Sequence, residues 1–212
     1  MSKSFYDYIG ELYKKPKENL GNLYRERLIQ WRKENAVVKL EKPTRLDRAR
    51  ELGYKAKRGF IIVRVRVNRG GRKRANVLKH ERRPATARSR KALGMSYQWV
   101  SEIRANKKFS NLEVLSSYWI GQDGRHYWYE VILVDPNAPE IKNDETINWI
   151  CDSSHKGRVY RGLTSAGKNS RGLSVRGKGA EKLRPSKQAV RRRKVRRAKP
   201  RKFHLQEAYK RK

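Results

Sequence analysis

Residues 112–134, LEVLSSYWIGQDGRHYWYEVILV, decide the fold that we expect for this chain. Residues 112–120 and 126–134 are rich in β-branched and aromatic side chains, which favour strands. Gln122-Asp123-Gly124-Arg125 lies between them and supplies a turn, in which Gly124 suits a positive φ. The sequence therefore predicts a β-hairpin.

A third strand is predicted at residues 60–68, where apolar side chains alternate with Ile62, Arg64, Arg66 and Asn68. We expect one face of this strand to pack against the core while the other face presents Arg64 and Arg66. These two arginines either contact phosphate groups or belong to an ordinary solvated sheet face.

Amphipathic spacing predicts helices at residues 4–14, 20–34, 45–52 and 88–107, with Thr44 as the N-cap of the third. Two or three of these helices are expected to cover a face of the sheet. The predicted fold class is α+β, a small and mostly antiparallel sheet covered by helices, with long basic extensions that lack their own core. The tryptophans are interpreted as core anchors rather than base-stacking platforms: Trp31, Trp99, Trp119, Trp128 and Trp149.

The charge of the chain predicts a polyanionic partner. Lys and Arg number 55 against 20 Asp and Glu, which gives a formal net charge of +35 and a pI of about 10.8. A free globular protein with this charge would repel itself, and either a nucleic acid or an anionic membrane surface would neutralise it. The longest apolar runs are four residues, far below the roughly 20 that span a membrane.

The charge is also unevenly distributed, and this predicts three regions. Residues 153–212 carry 22 Lys and Arg against two acids, whereas residues 109–152 carry two against eight. We expect an N-terminal helical and basic segment at 1–58, an α+β core at 59–152, and a basic Gly/Lys/Arg-rich extension at 153–212. Segments this polar order only on a partner.

The first basic stretch predicted to contact RNA combines a short helix with Gly53 and Gly59, which let backbone amides approach phosphate closely. Tyr54 either stacks on a base or sugar or packs on the sheet. The candidate contacts in this stretch are Arg45, Arg48, Arg50, Tyr54, Lys55, Lys57 and Arg58.

The second stretch places paired glycines among planar guanidinium groups, which bind phosphate oxygens in a bidentate manner. Its candidate contacts are Arg69, Gly70, Gly71, Arg72, Lys73 and Arg74. The alternative is a solvated Gly-Gly turn with charged edges. Arg64 and Arg66 of the preceding strand join this set.

The third stretch, Gly162 to Lys168, nearly matches a phosphate-binding P-loop, but Asn169 stands where Ser or Thr would hold magnesium. We interpret it as chain that passes along RNA backbone, where small hydroxyl side chains reach phosphate or 2′-OH groups. Its candidates are Arg161, Thr164, Ser165, Lys168 and Arg171. A helix-compatible run follows at residues 186–199, with candidates Arg191, Arg192, Arg193, Lys194, Arg196 and Arg197.

Catalytic and metal-binding patterns are not apparent in the sequence. The four histidines, His80, His126, His155 and His204, have no metal-ligand spacing to one another or to Cys151. We therefore predict no enzyme activity, no cofactor and no small-molecule substrate. A lone cysteine and an N-terminus without the apolar run of a signal peptide predict a cytoplasmic location.

Several segments together are similar to one known family: Arg48-Ala49-Arg50, Leu52 to Lys57, Arg69 to Lys73, Ser117-Tyr118-Trp119, Glu130 to Pro136 and Arg161 to Gly167. In order and spacing they resemble the large-subunit ribosomal protein family "L fifteen-e" of archaea and eukaryotes, and they span most of residues 4–173. Residues 75–95 are less similar, the tail after Gly172 matches only in being basic, and that tail looks closer to archaeal members. The resemblance implies a small α+β domain with extensions buried in large-subunit ribosomal RNA, without catalysis or cofactor.

The sequence therefore predicts a structural ribosomal protein that stabilises folded ribosomal RNA by neutralising phosphates, beside other ribosomal proteins and not as a homo-oligomer. A DNA-compacting, chromatin-type basic protein is the alternative, although no repeated DNA-reading element is apparent. An RNA-processing enzyme is a third class, and it lacks a credible set of acid, base or metal ligands.

Overall fold

A four-stranded antiparallel sheet organises the molecule. The computed structural model describes residues 3–71, 93–175, 177, 181, 183 and 186–198. The strands are β1 (Val37–Leu40), β2 (Phe60–Asn68), β3 (Glu113–Gln122) and β4 (His126–Val134), arranged in the order β1-β2-β4-β3. Together with the helices this confirms the predicted α+β class.

The predicted hairpin is present as β3 and β4, with β3 two residues longer than expected at its end. Its register shifts between Val114 and Ser116 and again between Trp119 and Gly121. The turn is fixed by the Asp123 carboxylate, which accepts hydrogen bonds from the backbone N–H of Arg125 (2.7 Å) and His126 (2.6 Å). The prediction of a positive φ at Gly124 is wrong, because this aspartate turn forms without one.

Helices cover both faces of the sheet. The helices are α1 (Phe5–Leu12), α2 (Pro16–Asn19), α3 (Gly21–Lys33), α4 (Leu46–Glu51), α5 (Tyr97–Lys108), α6 (Pro139–Lys142), α7 (Ser165–Ser170) and α8 (Lys187–Ala198). On one face Val63 and Val65 of β2 pack with Trp99 of α5, and on the other Ile62 packs with Trp31 of α3. The prediction that one face of β2 remains open is therefore wrong, because α3 buries it.

Several elements that are too short to be predicted from the sequence pattern complete the core. β1 has only four residues, and it pairs with β2 from Val37 opposite Val65 to Leu40 opposite Ile62. After β4 the chain forms α6 and two 3-10 turns, Asn148–Cys151 and Ser153–His155. Their Ile141, Ile147 and Ile150 make a third apolar cluster with Val134.

Helix ends are set by local hydrogen bonds. Ser4 and Asp7 form a capping box at the start of α1, in which each side chain accepts from the other residue's backbone N–H. Ser96 caps α5 by accepting from the N–H of Trp99, and the earlier part of the predicted helix 88–107 includes residues outside the described range. The predicted Thr44 cap of α4 is wrong. The helix begins after Arg45, and the Thr44 N–H donates to the Glu130 carboxylate.

The tryptophans mostly confirm the prediction of core anchors. Trp31, Trp99 and Trp128 are buried, and the rings of Trp31 and Trp128 contact each other with centroids 6.0 Å apart. Trp119 and Trp149 are half-buried.

The chain divides into two compact units, Met1–Ser170 and Arg171–Lys212. The first holds the sheet and helices α1 to α7. In the second, α8 occupies most of the predicted helical run. The finer division at residues 58 and 152 stays a prediction. None of the helices among the described residues is both long and apolar enough to cross a membrane.

Gly59 holds the entry into β2 in a conformation that other residues rarely adopt. Its φ is +90°, and a Cβ there would lie 2.5 Å from Cγ1 of Ile141. We predict that Gly59→Ala lowers the free energy of unfolding by about 1–3 kcal/mol, through overpacking and backbone strain. Urea unfolding of the full chain measures this change.

Gly124→Ala is the matched control, because a Cβ at Gly124 would meet nothing within 4 Å and its φ is not positive. We expect a change of less than about 0.5 kcal/mol there. Equal effects of the two substitutions would contradict the role given to Gly59.

Candidate nucleic-acid interface

The end of the sheet formed by the β3–β4 turn and the end of β2 carries an exposed arginine held on stacked aromatic rings. The Arg69 guanidinium lies 4.9 Å from the ring centroid of Tyr127, which stacks on Tyr97 at 5.0 Å with the ring planes 26° apart. Arg69 also donates to the backbone oxygen of Asp123 at 2.7 Å. These contacts orient an exposed planar cation, the group that suits phosphate or base contact.

The Gly-Gly segment next to it is fixed by a tyrosine. The Tyr97 hydroxyl accepts from the Gly70 N–H at 2.7 Å and donates to the Gly70 oxygen at 3.2 Å. Gly70 has a φ of +96°, so glycine is needed for this path of the chain. Gly71 is half-buried beside it. The other predicted contacts of this stretch, Arg72, Lys73 and Arg74, lie outside the described residues.

Arg45, just before α4, and Arg50, within α4, contact residues of α1 or residues next to it. Arg45 forms an ion pair with Asp47 (2.7 Å) and lies 4.6 Å from the Tyr13 ring centroid. Arg50 is exposed and donates to the Tyr6 hydroxyl, with its guanidinium over the same ring. Arg48 pairs with Glu51 and is also exposed. Two of the three predicted arginines are therefore at the surface, while Arg45 is mostly enclosed.

The lysines after α4 share one carboxylate. Lys55 and Lys57 each place Nζ 2.7 Å from Oδ2 of Asp144, and their hydrogen bonds hold the pKa of that carboxyl well below its usual range. Tyr54 packs edge-on against Phe60 at 5.9 Å, which favours the sheet-packing interpretation of this ring. Arg58 is exposed.

Arg64 and Arg66 lie on the face of β2 that α3 covers. Arg64 is 8% exposed, pairs with Glu34, and lies 4.8 Å from the Trp31 ring centroid. Arg66 donates to the backbone oxygen of Arg32 near the end of α3. These side chains therefore join β2 to α3, and the solvated-face alternative does not describe Arg64.

The P-loop-like stretch folds against the first unit's core. Gly162 has a φ of +64°, and a Cβ on Gly167 would lie 2.7 Å from Cα of Gly162, so the loop closes tightly on itself. The helix that begins within this stretch, α7, has only six residues. Arg161, Ser165 and Lys168 are exposed, and Arg161 donates to the backbone oxygen of Lys156 at 2.9 Å.

Thr164, predicted at the RNA, is instead fully buried. Its hydroxyl donates to Oε2 of Glu102 at 2.6 Å and accepts from the Gly167 N–H at 3.1 Å. Ser117 donates to the other Glu102 oxygen. Thr164 therefore belongs to a polar network in the core, and its hydroxyl has no surface to offer to a phosphate.

Among the residues whose exposure the structure describes, the second unit contributes the longest exposed run of cations. Arg191, Arg192, Arg193 and Lys194 occupy consecutive exposed positions of α8. Arg171 is half-buried in the same unit. Arg196 and Arg197 belong to α8, and the structure describes only the backbone there.

Sequence reasoning missed several arginines that the tertiary structure makes important. Arg104 and Arg125 are exposed, and Arg104 donates to the backbone oxygen of Arg66. Arg158 is buried and donates to the backbone oxygens of Val114 (2.6 Å) and Leu115 (3.0 Å). No local pattern marks Arg104 and Arg158, because the backbone oxygens they bind lie 38 to 44 positions away in the sequence.

A metal centre finds no support in the part of the chain that the structure describes. No group of three or more His, Cys, Asp or Glu residues there could hold an ion. Cys151 is a free thiol, half-buried, and burial raises its pKa.

The fold and this distribution of cations define a class: a small basic α+β protein of ribonucleoprotein type. The family model described as Ribosomal L15 matches residues 4–190. The "Large ribosomal subunit protein eL15" of Methanococcoides burtonii is 52% identical over 187 residues, which cover 88% of this chain and 95% of that protein. The chain belongs to this family of ribosomal proteins, which confirms the resemblance drawn from the sequence motifs.

The buried network at Thr164 predicts a pH-dependent stability. Burial raises the pKa of Glu102 above its ordinary value of about 4.5, and the bonds from Ser117 and Thr164 oppose this only in part. The folded state then binds the proton more tightly than the unfolded chain. The stability from this group is present below the unfolded pKa and is lost as the pH rises through the folded pKa.

We therefore predict that the free energy of unfolding of the wild type falls, relative to that of Glu102→Gln, as the pH rises from 4 to 7. Urea unfolding of both proteins across this range measures the difference, and circular dichroism verifies that the variant is folded. A difference that stays constant with pH, or that moves the other way, would contradict the raised pKa.

Proposed function

We propose that the protein is a structural constituent of the large ribosomal subunit, in which it binds and stabilises folded ribosomal RNA by neutralising phosphates. The family membership supports the ribosomal assignment. The observation that carries the RNA-binding part is the net charge of +35, together with the consecutive exposed cations at residues 191–194 of α8. A polyanion supplies the missing countercharge.

The exposed cations fall into two kinds with different roles. Arg50 and Arg69 are held over aromatic rings and by hydrogen bonds, so little conformational entropy is lost when they meet a phosphate. Arg58 and Lys168 are exposed at loop and helix positions and supply less directed charge. The first kind would fix the register of the protein on RNA, and the second would add affinity that is sensitive to salt.

Some predicted contacts carry less weight in this proposal. Arg45, Arg64 and Arg66 hold the fold together, and Lys55 and Lys57 divide their charge between Asp144 and any phosphate. We leave Thr164 out of the proposed interface. RNA recognition would then depend mostly on shape and backbone, with little readout of bases.

We also propose the partners and the location of the protein. Its partners would be large-subunit ribosomal RNA and neighbouring ribosomal proteins, in the cytoplasm, with no small-molecule substrate and no homo-oligomer. The basic terminal segments 1–58 and 153–212 would be the parts most enclosed by RNA, and the sheet region 59–152 would be the part with its own core.

The salt dependence of binding to large-subunit RNA tests the mechanism. We expect the logarithm of the association constant to fall linearly with the logarithm of salt concentration, as counterions are released. Removing three exposed cations in the variant Arg58→Gln, Arg69→Gln, Lys168→Gln should lower the slope by about one for each lost phosphate contact. Filter binding or fluorescence anisotropy across a salt series measures both slopes.

Lys142→Gln is a control for charge alone, because Lys142 is exposed but lies in the acidic part of the chain. Its slope should equal that of the wild type. A flat salt response of the wild type would contradict neutralisation. Co-sedimentation with chromatin or nucleoid rather than with large subunits would support the DNA-compacting alternative.

A further inference from the structure

A small cavity lies at the opposite end of the sheet from Arg69, where β3 begins and β4 ends. Its volume is about 260 Å³. The side chains that give it a polar lining are Ser110, Asn111, Glu113, Asn137, Asp152 and Ser153. No part of the proposed RNA interface uses these residues.

Glu113 is the group that points to a ligand. It is 7% exposed, its Oε1 accepts from the Gly157 N–H at 2.9 Å, and its Oε2 is buried without a hydrogen-bond partner among the described residues. A buried carboxylate oxygen without a donor is costly. Glu113 lines the cavity, and a donor that reached Oε2 from there would remove this cost.

The neighbouring Arg158 does not supply that donor. Its Nη1 donates to the backbone oxygens of Val114 and Leu115, and its guanidinium lies 4.9 Å from the Trp149 ring centroid. Arg158 and Glu113 attract each other electrostatically, but no ion pair joins them in the described part of the chain, and the Arg158 Nε is without a hydrogen-bond partner there. A solvent-bridged Glu113–Arg158 pair is the competing arrangement, and it requires no ligand.

The side chains that line the cavity carry a net negative charge, which favours a cation and disfavours RNA. Two carboxylates, Glu113 and Asp152, line the cavity together with a single ammonium group, Lys156. Most of the lining comes from residues 109–152, which carry eight acids against two bases in a chain whose net charge is +35.

The lining fits an organic cation better than a metal ion. Side-chain oxygens of Ser110, Asn111, Asn137 and Ser153 can accept several hydrogen bonds, which suits the multiple donors of a guanidinium or ammonium group. The described residues hold no cluster of three carboxylate, His or Cys ligands for a metal ion.

We propose that this cavity receives an Arg or Lys side chain from a basic segment of a neighbouring ribosomal protein, with Glu113 as the main acceptor and Asp152 as the second. The choice of partner rests on the proposed function, because proteins that neutralise the phosphates of the same RNA do so with Lys and Arg side chains. Binding of a cation in the cavity does not depend on RNA binding, so an experiment can contradict the cation site or the proposed function separately.

The first experiment tests the cation site in the full-length chain. Amide chemical shifts are followed by NMR while acetyl-Ala-Arg-Ala-amide, its Lys analogue or its Gln analogue is added. We expect the Arg and Lys probes, but not the Gln probe, to shift the amides of Asn111 and Gly157. Glu113→Gln should weaken probe binding by at least about tenfold, the value of a hydrogen bond to a charged group.

Matched variants separate the cavity from general charge. Glu145→Gln removes an exposed acid of the same region that does not line the cavity, and it should bind the probes as the wild type does. Glu113→Gln keeps an oxygen for the Gly157 N–H, and its unfolding midpoint verifies the fold. Equal binding by the two variants, no shift with either cation, or the same shifts caused by Mg²⁺ alone would overturn the site.

The second experiment tests the partner in assembled large subunits. Asn137→Cys, in a Cys151→Ser background, carries a benzophenone crosslinker at the rim of the cavity. Crosslinks to a Lys/Arg-rich segment of another protein support the partner assignment. Crosslinks to RNA, or none to protein, overturn it, while RNA affinity unchanged by Glu113→Gln leaves the proposed function intact.

Discussion

The pairing of β2 with β4, enclosed by helices on both faces, is the constraint on which the rest of the structure depends. The two strands pair over nine positions, from Phe60 opposite Val134 to Asn68 opposite His126. Because α3 covers one face and α5 the other, charged residues of these strands are taken from water. Arg64 and Glu130 lie opposite each other in the two strands. Arg64 forms an ion pair with Glu34, and the Glu130 carboxylate accepts hydrogen bonds from the Tyr118 hydroxyl and the Thr44 N–H. Burial of these charged groups is tolerated because each of them has an ion-pair or hydrogen-bond partner.

Because some cations are buried beside the sheet and others are exposed, the basic residues of the chain have two different roles. Cations within reach of the sheet, such as Arg64, Arg66 and Arg158, are used to join elements, through carboxylates, backbone oxygens and aromatic faces. Other cations are exposed, such as Arg191, Arg192 and Lys194 of α8, and like charges this close favour a polyanionic partner. The same side-chain type thus stabilises the fold in one place and is available for RNA in another.

The two ends of the sheet offer different chemistry to partners. At one end Arg69 lies exposed on a Tyr127–Tyr97 stack, and at the other Glu113 and Asp152 line a small cavity. Phosphate would be attracted to the first end and disfavoured at the second, where we propose that a basic protein segment binds. A ribosomal protein placed between RNA and other proteins needs both kinds of surface, and this family member would provide them on one small scaffold.

The sequence by itself determined the hairpin, β2, the main helices, the α+β class and the family, and it predicts a polyanionic partner, because period-two and helical spacing, turn residues and net charge are local or additive properties. The tertiary structure decided which cations are exposed. Thr164 was predicted to contact RNA backbone from a Gly-rich loop, yet it is buried and donates to Glu102, which is distant in the sequence. Likewise β1, the cover over Arg64 and the cavity at Glu113 arise from contacts between remote segments, which a linear pattern does not encode.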